Sequence, residues 1–419
     1  MEKIVLKNVT IIDKESSHHL KKRDIAIENG TIKTIKNTID DTSNYKVINL
    51  TNLHISKGWI DTSVAFGEPG LEENETLANG INVAAKSGFT DILLQPFTQP
   101  IIDQKSSVEF LKNKTQNQPI NAHIVGALTQ QSKGEYLAEL YDMHLAGAIA
   151  FSDFKQAIQN SNLQKIALQY AQNFNGLIIS FCQDNWLKGK GMVNEGIEAT
   201  KLGLKSFSSI SEEIHVARNL QLLEYTGGKL HLPTLSSSKS VKMVSEAKKK
   251  GLQVTCSVSV NNLVLNDAEL ISFNTNTKLN PPLGNEENRK ELIKLVLNNT
   301  VDCITSDHLP INTEHKNVEY DYAQYGSIGL ESVFGALCKV LPLEIVIEKI
   351  TSAKNIFNIK HQPIEENSMA CLSLFIPDEK YIFKDSNILS SSKNAIFLNK
   401  ELIGKAIGTI CNNKITLNV

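Results

Sequence analysis

Apolar and polar residues follow one pattern at the two ends of the chain and another in the middle. Residues 1 to about 50 contain short apolar runs, two of which flank Glu28-Asn29-Gly30. Asn-Gly between apolar runs is typical of a β-hairpin. Residues 370–376, 381–383 and 414–417 have the same character. We therefore expect both chain ends to pair into one small β domain, with the termini close together.

In the middle of the chain, strand-like apolar runs alternate with longer helical patterns. The predicted strands are 58–64, 90–95, 121–126, 147–151, 177–181, 229–234, 253–257 and 301–305, and the predicted helices include 76–86, 135–145, 212–225, 240–250 and 287–298. This alternation predicts a (β/α)₈ barrel of the TIM type. A doubly wound open sheet is the alternative, but no G-x-G-x-x-G follows an early strand. The expected division is 1–53 and 363–419 for the β domain and 54–362 for the barrel.

Composition and charge exclude several classes of partner. The chain has 419 residues, of which 41% are hydrophobic, and 43 Lys+Arg against 45 Asp+Glu. Without a basic excess, charge-driven binding to nucleic acid or to a membrane surface is not expected. No segment predicts a membrane span or a signal peptide. Six scattered cysteines without a Cys-x-x-Cys pair indicate a reducing cytoplasm.

Common catalytic motifs are missing from the sequence. It contains no H-E-x-x-H, no G-x-S-x-G and no G-x-x-x-x-G-K-[ST]. Lys188-Gly189-Lys190-Gly191 lacks the spacing of a phosphate loop and is interpreted as a flexible connection. The ten histidines are dispersed, and no pair has metal-ligand spacing at the end of a predicted barrel strand. The residues alone therefore predict a barrel with few reactive groups at its catalytic face.

Seven segments in register nevertheless resemble the dihydroorotases of the amidohydrolase superfamily. They are Gly58-Trp59-Ile60-Asp61 with Glu68-Pro69-Gly70, Gly88-Phe89-Thr90 leading to Pro96, Thr98 and Pro100, Ala146-Gly147-Ala148-Ile149-Ala150 ending in Phe151-Ser152-Asp153, Gly191-Met192-Val193-Asn194-Glu195-Gly196, Asn280-Pro281-Pro282-Leu283, Ser306-Asp307-His308 and Gly329-Leu330-Glu331. The resemblance implies a barrel flanked by a small β domain from both chain ends. It also implies chemistry on a cyclic amide, driven by a metal-bound hydroxide.

The same resemblance assigns six metal-ligand positions, four of which carry no ligand here. The family's histidines are replaced by Ser63 and Ala65 on the first strand, by Phe181 on the fifth and by Thr234 on the sixth. Two carboxylates remain. Asp153 stands at the position that bridges metals, and the resemblance implies that Asp307 is both a metal ligand and a general acid/base. Since zinc needs three or four nitrogen, sulfur or oxygen ligands at fixed distances, we expect no metal and no other cofactor. Zinc would be expected only if the site is functional after all.

The positions that would bind substrate are altered as well. The family's arginine, asparagine and histidine are replaced by Gly67, Phe97 and Ile311, which leaves Asn280 as the candidate substrate-binding residue. No Arg or Lys is expected at the relevant strand ends as a replacement.

The surviving polar residues also have structural interpretations. Asp153 is expected to cap the helix that follows it. Asp307 is expected to accept hydrogen bonds from neighbouring backbone amides. His231 and His308 are expected to be structural, and Asn280 to shape the turn before Pro281.

Three functions follow from these observations. The leading hypothesis is a catalytically inactive dihydroorotase-like protein of pyrimidine biosynthesis. Because inactive homologues in the family help to assemble aspartate transcarbamoylase, the resemblance implies that partner and a homodimer. The alternative is an active dihydroorotase or other cyclic amidohydrolase with a rebuilt site that uses Asp307 as base. The third is a small-ligand binder whose pocket is made apolar by Phe97, Phe181 and Ile311.

Overall fold

Two eight-stranded sheets organise the protein, whose computed structural model describes residues 3–418. Within this range the strands are β1 (Lys3–Ile12), β2 (Lys22–Glu28), β3 (Thr31–Lys36), β4 (Lys46–Ile48), β5 (His54–Lys57), β6 (Trp59–Val64), β7 (Phe89–Leu94), β8 (Asn121–Gly126), β9 (Ala150–Phe151), β10 (Leu177–Ile179), β11 (Val193–Asn194), β12 (Ser206–Phe207), β13 (Lys229–Leu232), β14 (Val254–Ser259), β15 (Cys303–Thr305), β16 (Leu372–Ile382), β17 (Glu401–Cys411) and β18 (Lys414–Leu417).

Helices connect the strands of the central region. Within residues 3–418 they are α1 (Leu77–Lys86), α2 (Lys105–Lys114), α3 (Leu140–Ala146), α4 (Ser161–Ala171), α5 (Asn185–Lys188), α6 (Ile197–Leu202), α7 (Ile210–Thr226), α8 (Ser238–Lys249), α9 (Val260–Val264), α10 (Glu286–Leu297), α11 (Thr313–Lys316), α12 (Val333–Leu337), α13 (Leu343–Thr351) and α14 (Ala353–Ile356). Single 3₁₀ segments lie at Gln130–Ser132, Gln172–Phe174, Asp267–Ser272, Thr275–Thr277 and Asp385–Asn387. Within residues 3–418, no helix combines the length and apolar character that crossing a membrane requires.

The central sheet is a parallel barrel, as the strand–helix alternation predicted. Its strand order is β6–β7–β8–β9–β10–β13–β14–β15. The first and last strands meet where the His308 amide donates to the Ser63 carbonyl at 2.9 Å and the Ala65 amide donates to the His308 carbonyl at 3.0 Å. Below this contact the Asp61 carboxylate accepts from the Ser306 amide at 2.7 Å. The prediction of a (β/α)₈ barrel is confirmed, and the doubly wound alternative is wrong because the two edge strands close on each other.

The second sheet is built from both chain ends. Its order is β18–β17–β16–β5–β1–β2–β3, with β4 paired to β1. Strand β5 lies between the two halves, parallel to β1 and antiparallel to β16. Residues 54–57 therefore belong to this sheet, whereas the predicted division placed them in the barrel. The reason is that Ile55 is fully buried in the apolar core of the terminal sheet, and the first barrel strand begins only at Trp59.

Candidate functional site

A cavity of about 670 Å³ opens at the carboxyl ends of the barrel strands. In barrels of this type the loops at that end carry the active site. The cavity is lined by five of the predicted positions, namely Phe97, Asp153, Asn280, Asp307 and Ile311. It is also lined by Lys155, which the sequence did not single out.

The ammonium group of Lys155 lies against the carboxylate of Asp307. The distances from Nζ are 2.7 Å to Oδ1 and 2.9 Å to Oδ2. The Ser63 hydroxyl donates to the same Oδ1 at 2.9 Å. The Lys155 and Asp307 side chains are only 14% and 8% exposed, so water screens their charges weakly. Asp307 was expected to accept from neighbouring backbone amides, and that expectation is wrong because Lys155 from the loop after β9 and Ser63 from strand β6 reach its oxygens.

Two further positions that had been assigned to metal ligands surround the same ammonium. The Thr234 hydroxyl oxygen is 3.5 Å from Lys155 Nζ. The ring centroids of Phe181 and Phe154 are each 5.4 Å from it, the range in which a cation is attracted to an aromatic face. Phe181, Thr234 and Asp307 therefore converge on one positive charge that the chain itself supplies, and Ser63 contacts the same carboxylate.

Asp153, the second retained carboxylate, is held by the loop after β8. Its Oδ1 accepts from the backbone amides of Leu128 and Thr129, both at 2.9 Å, and its Oδ2 from the Thr129 hydroxyl at 2.5 Å. Burial raises the pKa of Asp153 to about 6, although these hydrogen bonds act in the opposite direction. The expectation that Asp153 caps the next helix is wrong, because α4 begins at Ser161 and Asn160 caps it.

His231 and His308 hold neighbouring segments in place. The Nδ1 atom of His308 accepts from the backbone amides of Gly329 at 3.1 Å and Leu330 at 3.3 Å. His231 contacts the hydroxyl groups of Thr255 and Ser257 on β14 at 2.8 and 3.3 Å. Burial lowers the pKa of His308 to about 3 and that of His231 to about 4, so both rings are neutral at pH 7.

The replaced substrate positions have become an apolar wall or a closed turn. Phe97 and Ile311 pack in one cluster with Phe154, and the ring centroids of Phe97 and Phe154 are 5.9 Å apart. Gly67 has φ +96°, and a Cβ atom added there would lie 2.7 Å from the Leu71 carbonyl oxygen. A long basic side chain therefore does not fit at position 67 without a backbone shift. The Asn280 Oδ1 atom is buried and has no hydrogen-bond partner within residues 3–418.

Comparison with known proteins identifies the family. Residues 53–240 match the family model described as dihydro-orotase-like. The chain is 32% identical to a dihydroorotase of Pelotomaculum thermopropionicum, over 99% of this chain and 98% of that protein. It is 33% identical to a dihydroorotase of Syntrophus aciditrophicus, over 99% of both chains. This chain belongs to the dihydroorotase-like family.

Solved structures agree with this assignment at the level of the fold. The L-hydantoinase of Arthrobacter aurescens superposes with a TM-score of 0.86 at 20% identity, over 100% of this chain and 97% of that chain. A D-hydantoinase of Thermus sp. superposes with a TM-score of 0.82 at 18% identity, over 99% and 95% of the two chains. At such identities the likeness supports the barrel with its flanking sheet and nothing finer.

The residues at the mouth of this dihydroorotase-like barrel do not fit the zinc that the family implies. Across residues 3–418, no three His, Cys, Asp or Glu side chains lie close enough together to hold a metal ion. Asp153 is fully engaged by one loop, and Asp307 is engaged by Lys155 and Ser63. A zinc ion at this place would have to displace an ammonium group and would then meet neutral hydroxyls and a phenyl ring, which are poor zinc ligands.

Lys155 is the residue that sequence reasoning missed. The sequence led to the expectation that no Arg or Lys lies near the relevant strand ends, which is wrong because Lys155 follows the end of β9 by four positions. The available signal was electrostatic: a carboxylate at position 307 without imidazoles or metal needs another cation when it is buried. The catalytic role of Asp307 and the substrate-binding role of Asn280 stay predictions.

Proposed function

We propose that this dihydroorotase-like chain is catalytically inactive and serves pyrimidine biosynthesis through its structure. The observation that carries the proposal is the ion pair between Lys155 and Asp307, surrounded by the emptied ligand positions. The proposal extends the family assignment. The similarity to relatives named dihydroorotase supports the pathway, and the altered site supports the absence of activity.

Two steps of cyclic amide hydrolysis lack the groups that they need. Water has a pKa near 16, so without a metal its activation depends on a strong, free general base. Asp307 is the candidate base, but its oxygens already accept from Lys155 and Ser63. At the positions where the family binds its substrate this chain has Gly67, Phe97 and Ile311, none of which carries a charge that could pair with a carboxylate.

An active cyclic amidohydrolase is the second candidate. It is favoured by the full-length similarity to proteins named dihydroorotase and by the position of Lys155, whose ammonium could stabilise negative charge on a carbonyl oxygen. This function requires Asp307 to exchange its contact with Lys155 for a water molecule.

Metal content and turnover, measured on the same sample, test the proposal. We expect less than about 0.1 zinc per chain. We also expect dihydroorotate turnover at least about 10⁴-fold below that of the Pelotomaculum dihydroorotase purified in parallel, which corresponds to a barrier higher by roughly 5.5 kcal/mol. Stoichiometric zinc with turnover would overturn the proposed inactivity. Turnover without metal, abolished by Asp307→Asn, would favour the second candidate.

We further propose that the chain acts in the cytoplasm as a homodimer that binds aspartate transcarbamoylase. Exposed apolar side chains on α5 and α7 support a protein contact: Trp186 is 90% exposed, and Ile210 and Ile214 are about half exposed. The two helices are joined because the Ser211 hydroxyl donates to the Asp184 carbonyl at 2.9 Å. Neighbouring exposed apolar side chains of this size are typical of association surfaces.

Analytical ultracentrifugation with aspartate transcarbamoylase from the same organism tests this association. We expect a joint species, and at least tenfold weaker association for Trp186→Asp, since a charge would replace an apolar anchor. Tyr225→Asp is the matched control, because Tyr225 is 77% exposed at the far end of α7. Sedimentation as two separate species would contradict the proposed association with aspartate transcarbamoylase. The proposed inactivity would be unaffected, because zinc content and turnover test it separately.

A further inference from the structure

Two buried lysines beside the cavity have no acidic partner among residues 3–418. The Nζ atoms of Lys278 and Lys316 each donate to two backbone carbonyls at 2.7–2.9 Å. Within residues 3–418, neither forms an ion pair with a carboxylate. Both side chains are almost completely buried, and burial lowers the pKa of both lysines, that of Lys316 to about 7. A buried cation without a counter-charge is costly, and the lowered pKa values reflect that cost, so these two lysines are structural donors to backbone carbonyls.

A third lysine, Lys188 at the end of α5, brings positive charge to the cavity itself. Its Nζ atom lies 5.0 Å from the ring centroid of Tyr325, and Lys278 Nζ lies 5.2 Å from the same centroid. Lys188 and Tyr325 both line the cavity. Lys188 Nζ has neither a hydrogen bond nor an ion pair in the described part of the chain, and all three of its donors are free.

The remaining surface of the cavity is mostly satisfied or apolar. The negative charges of Asp153 and Asp307 are already bound by the loop after β8 and by Lys155. Phe97, Ile311 and Leu309 form an apolar wall next to them. Within residues 3–418, the groups of the cavity without a partner include the Lys188 ammonium, the Asn280 Oδ1 atom and the Ser132 hydroxyl, and they lie beside the apolar wall in a volume that accommodates a two-ring molecule.

We propose that the barrel mouth binds a small aromatic carboxylate, whose anionic group pairs with Lys188 while its rings pack against Phe97 and Ile311. Binding without turnover goes beyond the proposed structural function and requires neither metal nor hydrolysis. The ligand differs from a dihydroorotate-like molecule, because the wall that receives its ring is hydrocarbon and offers no partners for ring amide groups.

Calorimetry with 2-naphthoate and its neutral counterpart 2-naphthamide tests this site in the full chain. We expect naphthoate to bind at least tenfold more tightly than naphthamide. Lys188→Met is expected to weaken naphthoate binding at least tenfold and to change naphthamide binding less than twofold. Lys190→Met is the matched control, since Lys190 is an exposed lysine two positions away that does not line the cavity. The affinity of the Lys190→Met variant for naphthoate should equal that of the wild type.

A second variant separates the apolar contact from the charge. Phe97→Ser should weaken the binding of naphthoate and of naphthamide by a similar factor. Circular dichroism should show that each variant is natively folded. Equal affinity for naphthoate and naphthamide would overturn the proposal. So would competition by inorganic phosphate at the same concentration, which would indicate a simple anion site, or tighter binding of dihydroorotate than of naphthoate. None of these readouts depends on turnover, so failure here leaves the zinc and activity measurements unaffected.

Discussion

Replacing Lys155 with methionine is expected to lower the free energy of unfolding by about 3 kcal/mol at pH 7. Methionine keeps most of the apolar stem but removes the ammonium, which leaves the buried Asp307 carboxylate with only the Ser63 hydroxyl as a donor within residues 3–418. Breaking a buried ion pair by removing one partner costs about 3–5 kcal/mol, since the remaining charge has lost its solvation and its counter-charge. The lower end applies because Lys155 is partly accessible from the cavity.

Urea unfolding of the wild type and three variants measures the contribution of the ion pair between Lys155 and Asp307 to the free energy of unfolding. The double variant Lys155→Met with Asp307→Asn should recover most of the lost stability, because no uncompensated charge remains. Lys239→Met is the surface control: its Nζ is 3.9 Å from Glu213, its side chain is 73% exposed, and the expected loss is below about 1 kcal/mol. If Lys155→Met lost no more stability than Lys239→Met, Lys155 would not be the cation that neutralises Asp307.

The ion pair also gives the altered mouth a consistent physical interpretation. A zinc ion and the Lys155 ammonium would both place positive charge against the Asp307 carboxylate, but only zinc requires several imidazole ligands. Once an ammonium occupies this place, Ser63 and Thr234 act as neutral hydrogen-bonding groups, and Phe181 offers its aromatic face. Three of the four replacements that remove a zinc ligand, at positions 63, 181 and 234, therefore lie around the ion pair of Lys155 and Asp307.

The sequence predicted regular elements well where a pattern repeats over a whole element. The predicted helix 76–86 is α1, and the predicted strand 121–126 coincides with β8. The helix predicted from residue 135 begins only at Leu140, since Leu137 forms a β-bridge with Thr129 and the Ala138 amide donates to the Leu128 carbonyl at 3.0 Å. Such a tie between distant residues has no periodic signature.

The site could be predicted only in part for a related reason. The resemblance identified the positions that had lost their ligands, because those positions are fixed by strand ends. It could not show which side chain would approach them from elsewhere. Lys155 lies 152 positions from Asp307, and its long flexible stem can point in many directions. Lys188 was interpreted as part of a flexible connection, whereas it ends α5 and lines the cavity.

A second buried ion pair lies near the opposite end of the barrel strands, between Asp91 on β7 and Lys354 on α14. Lys354 Nζ lies 2.8 Å from Asp91 Oδ2, and the side chains of Lys354 and Asp91 are 3% and 1% exposed, respectively. His123 contacts the other carboxylate oxygen at 2.9 Å. At this end of a barrel such residues serve stability. We expect Lys354→Met to lower the free energy of unfolding by about 3–5 kcal/mol at pH 7, more than Lys155→Met.

The size of this loss should depend on pH in a defined direction. Burial alone would raise the pKa of Asp91, but Lys354 and His123 outweigh burial and hold it well below the ordinary range. A depressed pKa in the folded state contributes stability that is fully present above the unfolded value near 3.9 and is lost progressively as the pH falls from that value through the folded one. Urea unfolding at pH 7, 5 and 3.5 should therefore show the difference between wild type and Lys354→Met shrinking at the lowest pH. A difference that stayed constant or grew on acidification would show that the ionised Asp91 does not carry the stabilisation, and that Lys354 contributes mainly by packing.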